Sequence, residues 1–452
     1  MLGVVLALPE LALGDLRPSG EAPLPPRPEE RLAGLPLAVR TALTLQKEGV
    51  SRLVLVIRSG DEAVLEELRA DPRVRVPVSG VVVAVDASEQ APTQPCCDGL
   101  TPTGRAALLA LQPEVTEPFV LGRYDVVVDP AIYRLLRETA LGGAQGSLAA
   151  SDDALVGPLC GTPALLAQLK SLDARSLRKL AGEGRLELVP VGARWAVALG
   201  TTDDRRRASF HLFEACRKSV DGLVARYLNR HVSLWISRRL VDTPVSPNAM
   251  TIMTFLIGLA GAAVAMRGGY VPFLVGAALM QLNSILDGVD GELARVRFQH
   301  SKLGQWLDTI GDDASNLFFY AALAWGVRSE PAGAWLSLSG WVVTAATFLT
   351  AALYYSELVG SGSGDLYAIE WEFDKQPAKG FTGKLVRFGR LVLKQDFFIF
   401  LWLCLALCGV LGWALPMFAL GGAITVVAAT ARRIGLIRAR RRTAGAAQRI
   451  KK

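Results

Sequence analysis

Two hydropathy rhythms divide the chain. Up to about residue 215, strand-like runs such as Arg52–Ile57, Gly80–Val85 and Tyr124–Val128 alternate with helical stretches such as Leu37–Glu48, Glu62–Ala70 and Pro130–Leu141. Such alternation predicts a Rossmann-like α/β layer fold with a largely parallel sheet. No run there reaches membrane length, and the apolar opening Met1–Leu8 has no basic flank and is too short for a signal peptide. Beyond residue 245 the rhythm changes to long apolar runs. Ala249–Met266 is uncharged and long enough to cross a bilayer, and Tyr270–Leu286 supplies a second span. A third, Gly304–Val327, is long enough only if it includes the acidic stretch Asp308–Asp313. Ala334–Tyr355, Phe397–Leu415 and Pro416–Ala431 complete an all-α domain with six expected transmembrane helices.

Between the two rhythms, Val220, Leu223, Val224, Tyr227, Leu228, Leu234 and Trp235 recur at helical spacing with Arg226, Arg230, Arg238 and Arg239 interleaved. This predicts an amphipathic helix lying along the membrane interface. Ser246-Pro247-Asn248-Ala249-Met250-Thr251 then reads as a helix start, a polar cap and a proline ahead of an apolar run. The expected layout is 1–215 as the α/β domain, 216–245 as interfacial helix and linker, 246–436 as the six-span domain and 437–452 as a basic tail.

Composition is an average over these unlike halves, 51% hydrophobic with a formal net charge of +7. Distribution says more. The stretch after the sixth span holds Arg432, Arg433, Arg438, Arg440, Arg441, Arg442, Arg449, Lys451 and Lys452 without an acid, and the connection between spans four and five holds Lys375, Lys379, Lys384, Arg387, Arg390 and Lys394. The alternate loops, Arg267–Val271 and Arg328–Ala332, carry one Arg each. The positive-inside rule therefore places both termini in the cytoplasm, which in a bacterium means the inner membrane. For the tail itself, contact with anionic lipid is the better explanation.

The densest chemistry runs from Asp287 to Asp312: D-G-V-D-G-E-L-A-R, eight residues, then G-Q-W-L-D-T-I-G-D. Four carboxylates, Asp287, Asp290, Asp308 and Asp312, fall inside membrane-length segments, which is expensive unless a positive charge sits among them. On a helix Asp287, Asp290, Gly291 and Ala294 share one face, and Asp308 and Asp312 stack a turn apart. A polar turn from Val296 to Leu303 would make the two helices antiparallel and bring all four carboxylates together. An all-oxygen donor set suits Mg²⁺, Mn²⁺ or Ca²⁺ rather than zinc, and Arg295 offers a guanidinium fork to a diphosphate.

The spacing D-x2-D-G-x2-A-R-x8-G-x3-D-x3-D resembles the signature of the CDP-alcohol phosphotransferase family, membrane enzymes that displace CMP from a CDP-linked alcohol with the hydroxyl of a second alcohol. The resemblance implies that Asp287, Asp290, Asp308 and Asp312 ligate one or two divalent ions, Mg²⁺ or Mn²⁺, and that Asp312 also serves as general base. It implies that Asn248, Thr251, Asp287, Gly291, Ala294, Arg295 and Gly304 line the nucleotide and diphosphate site. The expected partners are a CDP-alcohol donor such as CDP-diacylglycerol, a polar alcohol acceptor, membrane lipid and a second copy of the chain, with no nucleic acid. One departure is visible: Asp313 stands where many relatives carry Arg.

The first half resembles sugar-phosphate cytidylyltransferases through Leu32-Ala33-Gly34-Leu35-Pro36-Leu37, through Arg123-Tyr124-Asp125-Val126-Val127-Val128-Asp129-Pro130 at the metal-site strand, and through Arg194-Trp195. Leu6-Ala7-Leu8-Pro9-Glu10-Leu11 replaces the glycine-rich phosphate loop, Leu35 replaces a Lys, and no Asp follows Trp195. A nucleotidyltransferase-like domain without catalysis is expected, the alternative being a bifunctional chain whose first half makes the CDP-polyol used by the second. A cation-transport role for the four carboxylates, or an inactive homologue, are the other readings. Cys96, Cys97, Cys160, Cys216, Cys404 and Cys408 complete no zinc spacing and read as structural thiols. His300 reads as a solvated loop residue.

Overall fold

Strand β1 (Leu2–Ala7) is buried along its whole length, as expected where a sheet is covered on both faces. The computed structural model describes residues 1–8, 26–84, 102–140, 145–151, 154–169, 174–218, 221–361 and 394–450, and separates into two compact units, Met1–Glu214 and Ala215–Lys452. Val85, Cys96, Cys97, Leu141, Val220, Pro9–Leu11 and the basic connection 375–393 lie outside the described residues, as do the side chains of the tail from 437.

In the first unit, β1 lies between β4 (Arg52–Arg58) and β6 (Phe119–Arg123), parallel to both, and β5 (Val78–Val83) extends the parallel set beyond β4. Helices α1 (Leu37–Lys47), α2 (Glu62–Ala70) and α3 (Pro102–Leu111) separate these strands in sequence; a short hairpin of β2 (Arg31–Leu32) and β3 (Leu35–Pro36) precedes α1, and α4 (Ala131–Ala140), α5 (Pro163–Gln168), α6 (Ala174–Gly182) and α7 (Thr202–Glu214) come later. The main sheet is largely parallel, as expected, with one strand reversed. Strand β9 (Ala154–Gly161) runs antiparallel to both β6 and β8 (Gly146–Ser151), and β10 (Glu187–Pro190) pairs parallel to β8. Two residues connect β8 to β9, and so short a link permits only a hairpin. The expected strand Tyr124–Val128 is also divided: the chain leaves the main sheet after Arg123, and β7 (Val126–Val128) pairs with β11 (Ala196–Ala198) in a small antiparallel sheet. Leu2, Val4, Val54, Val56, Phe119 and Leu121 form the core between the layers.

The second unit is helical. The candidate spans α9 (Pro247–Ala265) and α10 (Tyr270–Val296) cross closely because Gly261 and Gly276 face each other: a Cβ on Gly261 would lie 3.0 Å from the Gly276 carbonyl. Small residues of this kind let membrane helices pack by backbone contact. α11 (Lys302–Gly326), α12 (Gly333–Ser361), α13 (Gln395–Leu407) and α14 (Leu415–Ile450) follow. Among the described residues four helices are long and apolar enough to cross a membrane: Pro247–Ala265, Tyr270–Val296, Gly333–Ser356 and Gly412–Gly435. The other two expected spans fall short for separate reasons. α11 carries Asp312, Asp313, Ser315 and Asn316 near its middle, and α13 ends at Leu407, eight residues before the expected boundary. Gly409 adopts φ +71° there, a turn that unbroken apolarity conceals. Phe319, Tyr320, Trp402 and Phe418 knit α11, α13 and α14 together, with Trp402 ring centroids 4.9 Å from both Phe319 and Tyr320.

The expected amphipathic helix is a one-turn π-helix, Ala225–Asn229, continued by α8 (Arg230–Leu240). Its faces correct the expectation. Tyr227, Leu228 and Trp235 point outward, whereas Asn229, Arg230, Ser233 and Ser237 are buried beside Leu234. A span-length partner with polar groups of its own, α10, makes a polar inner face the better-satisfied arrangement.

Candidate active site

Helix geometry delivers the acidic motif to one place. α10 ends at Val296, and Arg297 to Ser301 form the turn, where Phe298 takes φ +54°. Ser301 caps α11 by accepting from the Gly304 amide at 2.9 Å. Arg297, within the expected polar turn, is buried: its guanidinium donates to the carbonyls of Leu240, Val241, Thr243 and Val245 at 2.5–2.9 Å. These carbonyls lie at and beyond the end of α8, where the helix itself supplies few donors and a five-donor fork can reach several acceptors at once.

Asp287 and Asp290 from α10 and Asp308 from α11 each present a carboxylate oxygen within 4.8 Å of the others. Asp312 does not join that trio. It lines the same cavity of about 590 Å³ and is held by Gln395 at the start of α13. The Thr251 hydroxyl donates to Asp290, so this residue is both part of the α9 start and in contact with the cluster. Asn248 also lines the cavity, and a Cβ on Gly304 would come within 2.9 Å of its Oδ1. Gly291, Ala294 and Arg295 complete the predicted set on the cavity wall. The Arg295 fork sits beside Gly291, where a Cβ would meet Nη1 at 3.1 Å; its Nε is buried without a hydrogen-bond partner, and Cys216 contacts the same side chain. His300, expected in solvent, is exposed but stands at the cavity rim.

The donor set fits a divalent ion. Three hard oxygen ligands meet at ligand-sharing distance, and among the described ion pairs none neutralises Asp287 or Asp290. A cation would remove the mutual repulsion that such a cluster carries.

Sequence reasoning missed the network behind this wall. Glu292, fully buried, accepts from Arg230 Nη1 at 2.8 Å, Ser233 at 2.7 Å and Ser237 at 2.6 Å. Arg230 also holds Asp221 through Nε at 2.9 Å and Nη2 at 3.1 Å. Burial by itself raises the Asp221 pKa, but the hydrogen bonds and charge of Arg230 outweigh it and hold the carboxyl below the usual range. Asp396 at the start of α13 accepts from the Ala225 amide at 2.7 Å. The only signal in sequence was an acid, Glu292, in a membrane-length segment.

In the first unit the counterpart residues are arranged differently. Arg123 grips Asp125 with two parallel hydrogen bonds, Nε to Oδ1 at 2.7 Å and Nη2 to Oδ2, and both residues are buried. Leu35 is a core residue, and Trp195 stacks on His211 at 5.2 Å. Burial pushes the Cys160 thiol up to about 11, against the weaker pull of Arg137, so little reactive thiolate exists at neutral pH.

Residues 244–427 match the family model described as CDP-alcohol phosphatidyltransferase, and the second unit carries a domain of that family. The chain is 37% identical over 157 residues to the bifunctional IPC transferase and DIPP synthase of Aquifex aeolicus, covering 34% of this chain and 36% of that protein. Against the protein of that name from Rubrobacter xylanophilus, identity is 27% over 354 residues, 68% of this chain and 75% of the relative. A CDP-diacylglycerol–serine O-phosphatidyltransferase of Mycobacterium tuberculosis is 30% identical over 193 residues, 42% of this chain and 61% of its own. The match to the Aquifex protein thus spans about a third of that relative's length.

Proposed function

We propose that the second unit transfers a substituted phosphate from a CDP-alcohol, CDP-diacylglycerol in the first instance, to the hydroxyl of a polar alcohol and releases CMP. The observation that carries this reading is the meeting of Asp287, Asp290 and Asp308 within 4.8 Å on the wall of a cavity that Asp312 and Arg295 also line. Asp287, Asp290 and Asp308 would hold one or two ions of the Mg²⁺ or Mn²⁺ class, with Asp312 as the further ligand the motif implies. When bound, such ions supply positive charge to the diphosphate oxygens and polarise phosphorus.

The chain's own groups account for the rest. Arg295 receives a diphosphate oxygen on its fork, and the absence of side chains at Gly291 and Gly304 lets the nucleotide approach the helices, with Asn248, Thr251 and Ala294 around it. Asp312, oriented by Gln395, takes the proton of the acceptor hydroxyl. The acceptor oxygen bonds to the phosphorus nearer the donor alcohol, the bridging P–O bond to CMP breaks, and the proton stays on Asp312.

The same reading takes six crossings, adding α11 and α13 to the four apolar helices, with the outward Tyr227, Leu228 and Trp235 lying in the interface. The cavity and both ends of the chain face the cytoplasm, and two copies associate. Domains run 1–215, 216–245, 246–436 and 437–452. The first unit is read as non-catalytic, supported by the Arg123 fork that already occupies Asp125 and by the burial of Leu35. Full-length protein given Mn²⁺, CDP-diacylglycerol and pooled polar alcohols should release CMP and form a phosphodiester identified by mass. Absence of CMP with every donor and acceptor refutes the reading, and pyrophosphate release from CTP with a polyol phosphate refutes the non-catalytic assignment.

A further inference from the structure

One carboxylate in the cavity has no place in the reaction as written. Asp313 follows Asp312 and also lines the cavity, but it faces a different neighbour. The Tyr355 hydroxyl of α12 donates to Asp313 Oδ2 at 2.6 Å and lies 3.3 Å from the Thr309 carbonyl, while its ring packs edge-on against Trp306 at 6.1 Å. Among the described residues Asp313 Oδ1 takes no hydrogen bond, and the residue forms part of the cavity wall. No ion pair among the described residues involves Asp313. A negative acceptor oxygen, fixed by an aromatic clamp beside the proposed base, faces whatever enters along the α11–α12 wall.

We propose that Asp313, held by Tyr355, is a specificity-determining residue that binds a neutral hydroxyl group of the acceptor alcohol at this wall. The inference rests on the CDP-alcohol reaction proposed above. A carboxylate accepts strong hydrogen bonds from hydroxyl donors and repels phosphate at contact distance. The acceptor therefore turns a hydroxyl toward α11, and any phosphate it carries points elsewhere in the cavity.

The test compares wild type, Asp313→Asn, Asp313→Arg and Tyr355→Phe in CMP release from one CDP-alcohol. Acceptors are offered in pairs, glycerol with glycerol phosphate and inositol with inositol phosphate, with serine as an ammonium-bearing control. Asp313→Asn should raise the acceptor KM about tenfold, the size of a lost charge-assisted hydrogen bond, while the donor KM stays unchanged. Tyr355→Phe should shift the same constant by less. Asp313→Arg should move the ratio of phosphorylated to neutral acceptor use upward by about tenfold or more, with Mn²⁺-dependent CDP binding reporting that the variant is folded. If Asp313→Arg does not fold, the KM split in the Asn variant decides.

An unchanged acceptor KM in Asp313→Asn, or a rise confined to the donor, overturns the proposal. Serine use that depends on Asp313 overturns it too, by making the wall an ammonium site. No CMP from wild type with any acceptor is a different result: it sinks the reaction itself.

Discussion

Two buried acidic sites, one in each unit, have opposite arrangements. In the first unit Asp125 has the guanidinium of Arg123, the last residue of β6, and the pair is closed. In the second unit three carboxylates converge without an ion pair on Asp287 or Asp290, while Glu292, two residues beyond Asp290, is fully satisfied by Arg230, Ser233 and Ser237. A membrane-buried acid is thus not by itself a site. An acid whose compensating charge is built in holds the fold, whereas a cluster lacking it carries a cost that a ligand relieves.

The sharpest way to test the comparison is through the reaction. Asp312→Asn should lower CMP release by roughly 10²–10⁴-fold, the usual contribution of a general base, while Mn²⁺-dependent CDP binding persists through Asp287, Asp290 and Asp308; a loss of binding that matches the loss of turnover would leave Asp312 a ligand alone and remove its role as base. Next come the closed sites. Glu292→Ala leaves the Arg230 charge short of a partner and should cost about 3–5 kcal/mol in denaturant unfolding. Arg123→Ala, which strands Asp125, should destabilise the first unit by a similar ~3–5 kcal/mol without altering CMP release at a temperature where that unit remains folded.

Asp290→Asn separates the two classes most directly. It keeps an oxygen for Thr251 but removes one charge from the cluster, so Mn²⁺ binding should weaken while the chelator-treated protein gains about 0.5–2 kcal/mol. A loss of stability comparable to that of Glu292→Ala would erase the distinction. The smallest effect concerns acidity. Because Arg230 holds the Asp221 pKa below its ordinary 3.8, its contribution is present above that value and disappears as pH falls through the lowered one. Unfolding midpoints followed from pH 5 downward should therefore drop less steeply in Asp221→Asn.

Much of this was legible along the chain, and the misses share a cause. Strand β4 and helices α1 and α2 lie within a residue of the expected runs, because period and composition are local properties. The turn at Cys408–Leu411 was hidden by continuous apolarity, and the antiparallel β9 by a connection whose length, rather than composition, decides direction. Asn248 and Thr251 were singled out beside a capping alternative. Ser246 is the cap, accepting from Ala249 at 3.2 Å, which leaves Thr251 for Asp290.

By itself, the order of residues determined an α/β half, a half of long apolar helices, and four aspartates at helical spacings that two antiparallel segments would bring together. Only the folded chain decided which acids are compensated. Arg230 reaches Glu292 across 62 positions, and Tyr355 reaches Asp313 across 42. Charge neutralisation acts through space and over a few ångströms, so it is set by packing between helices and leaves no periodic trace in the sequence.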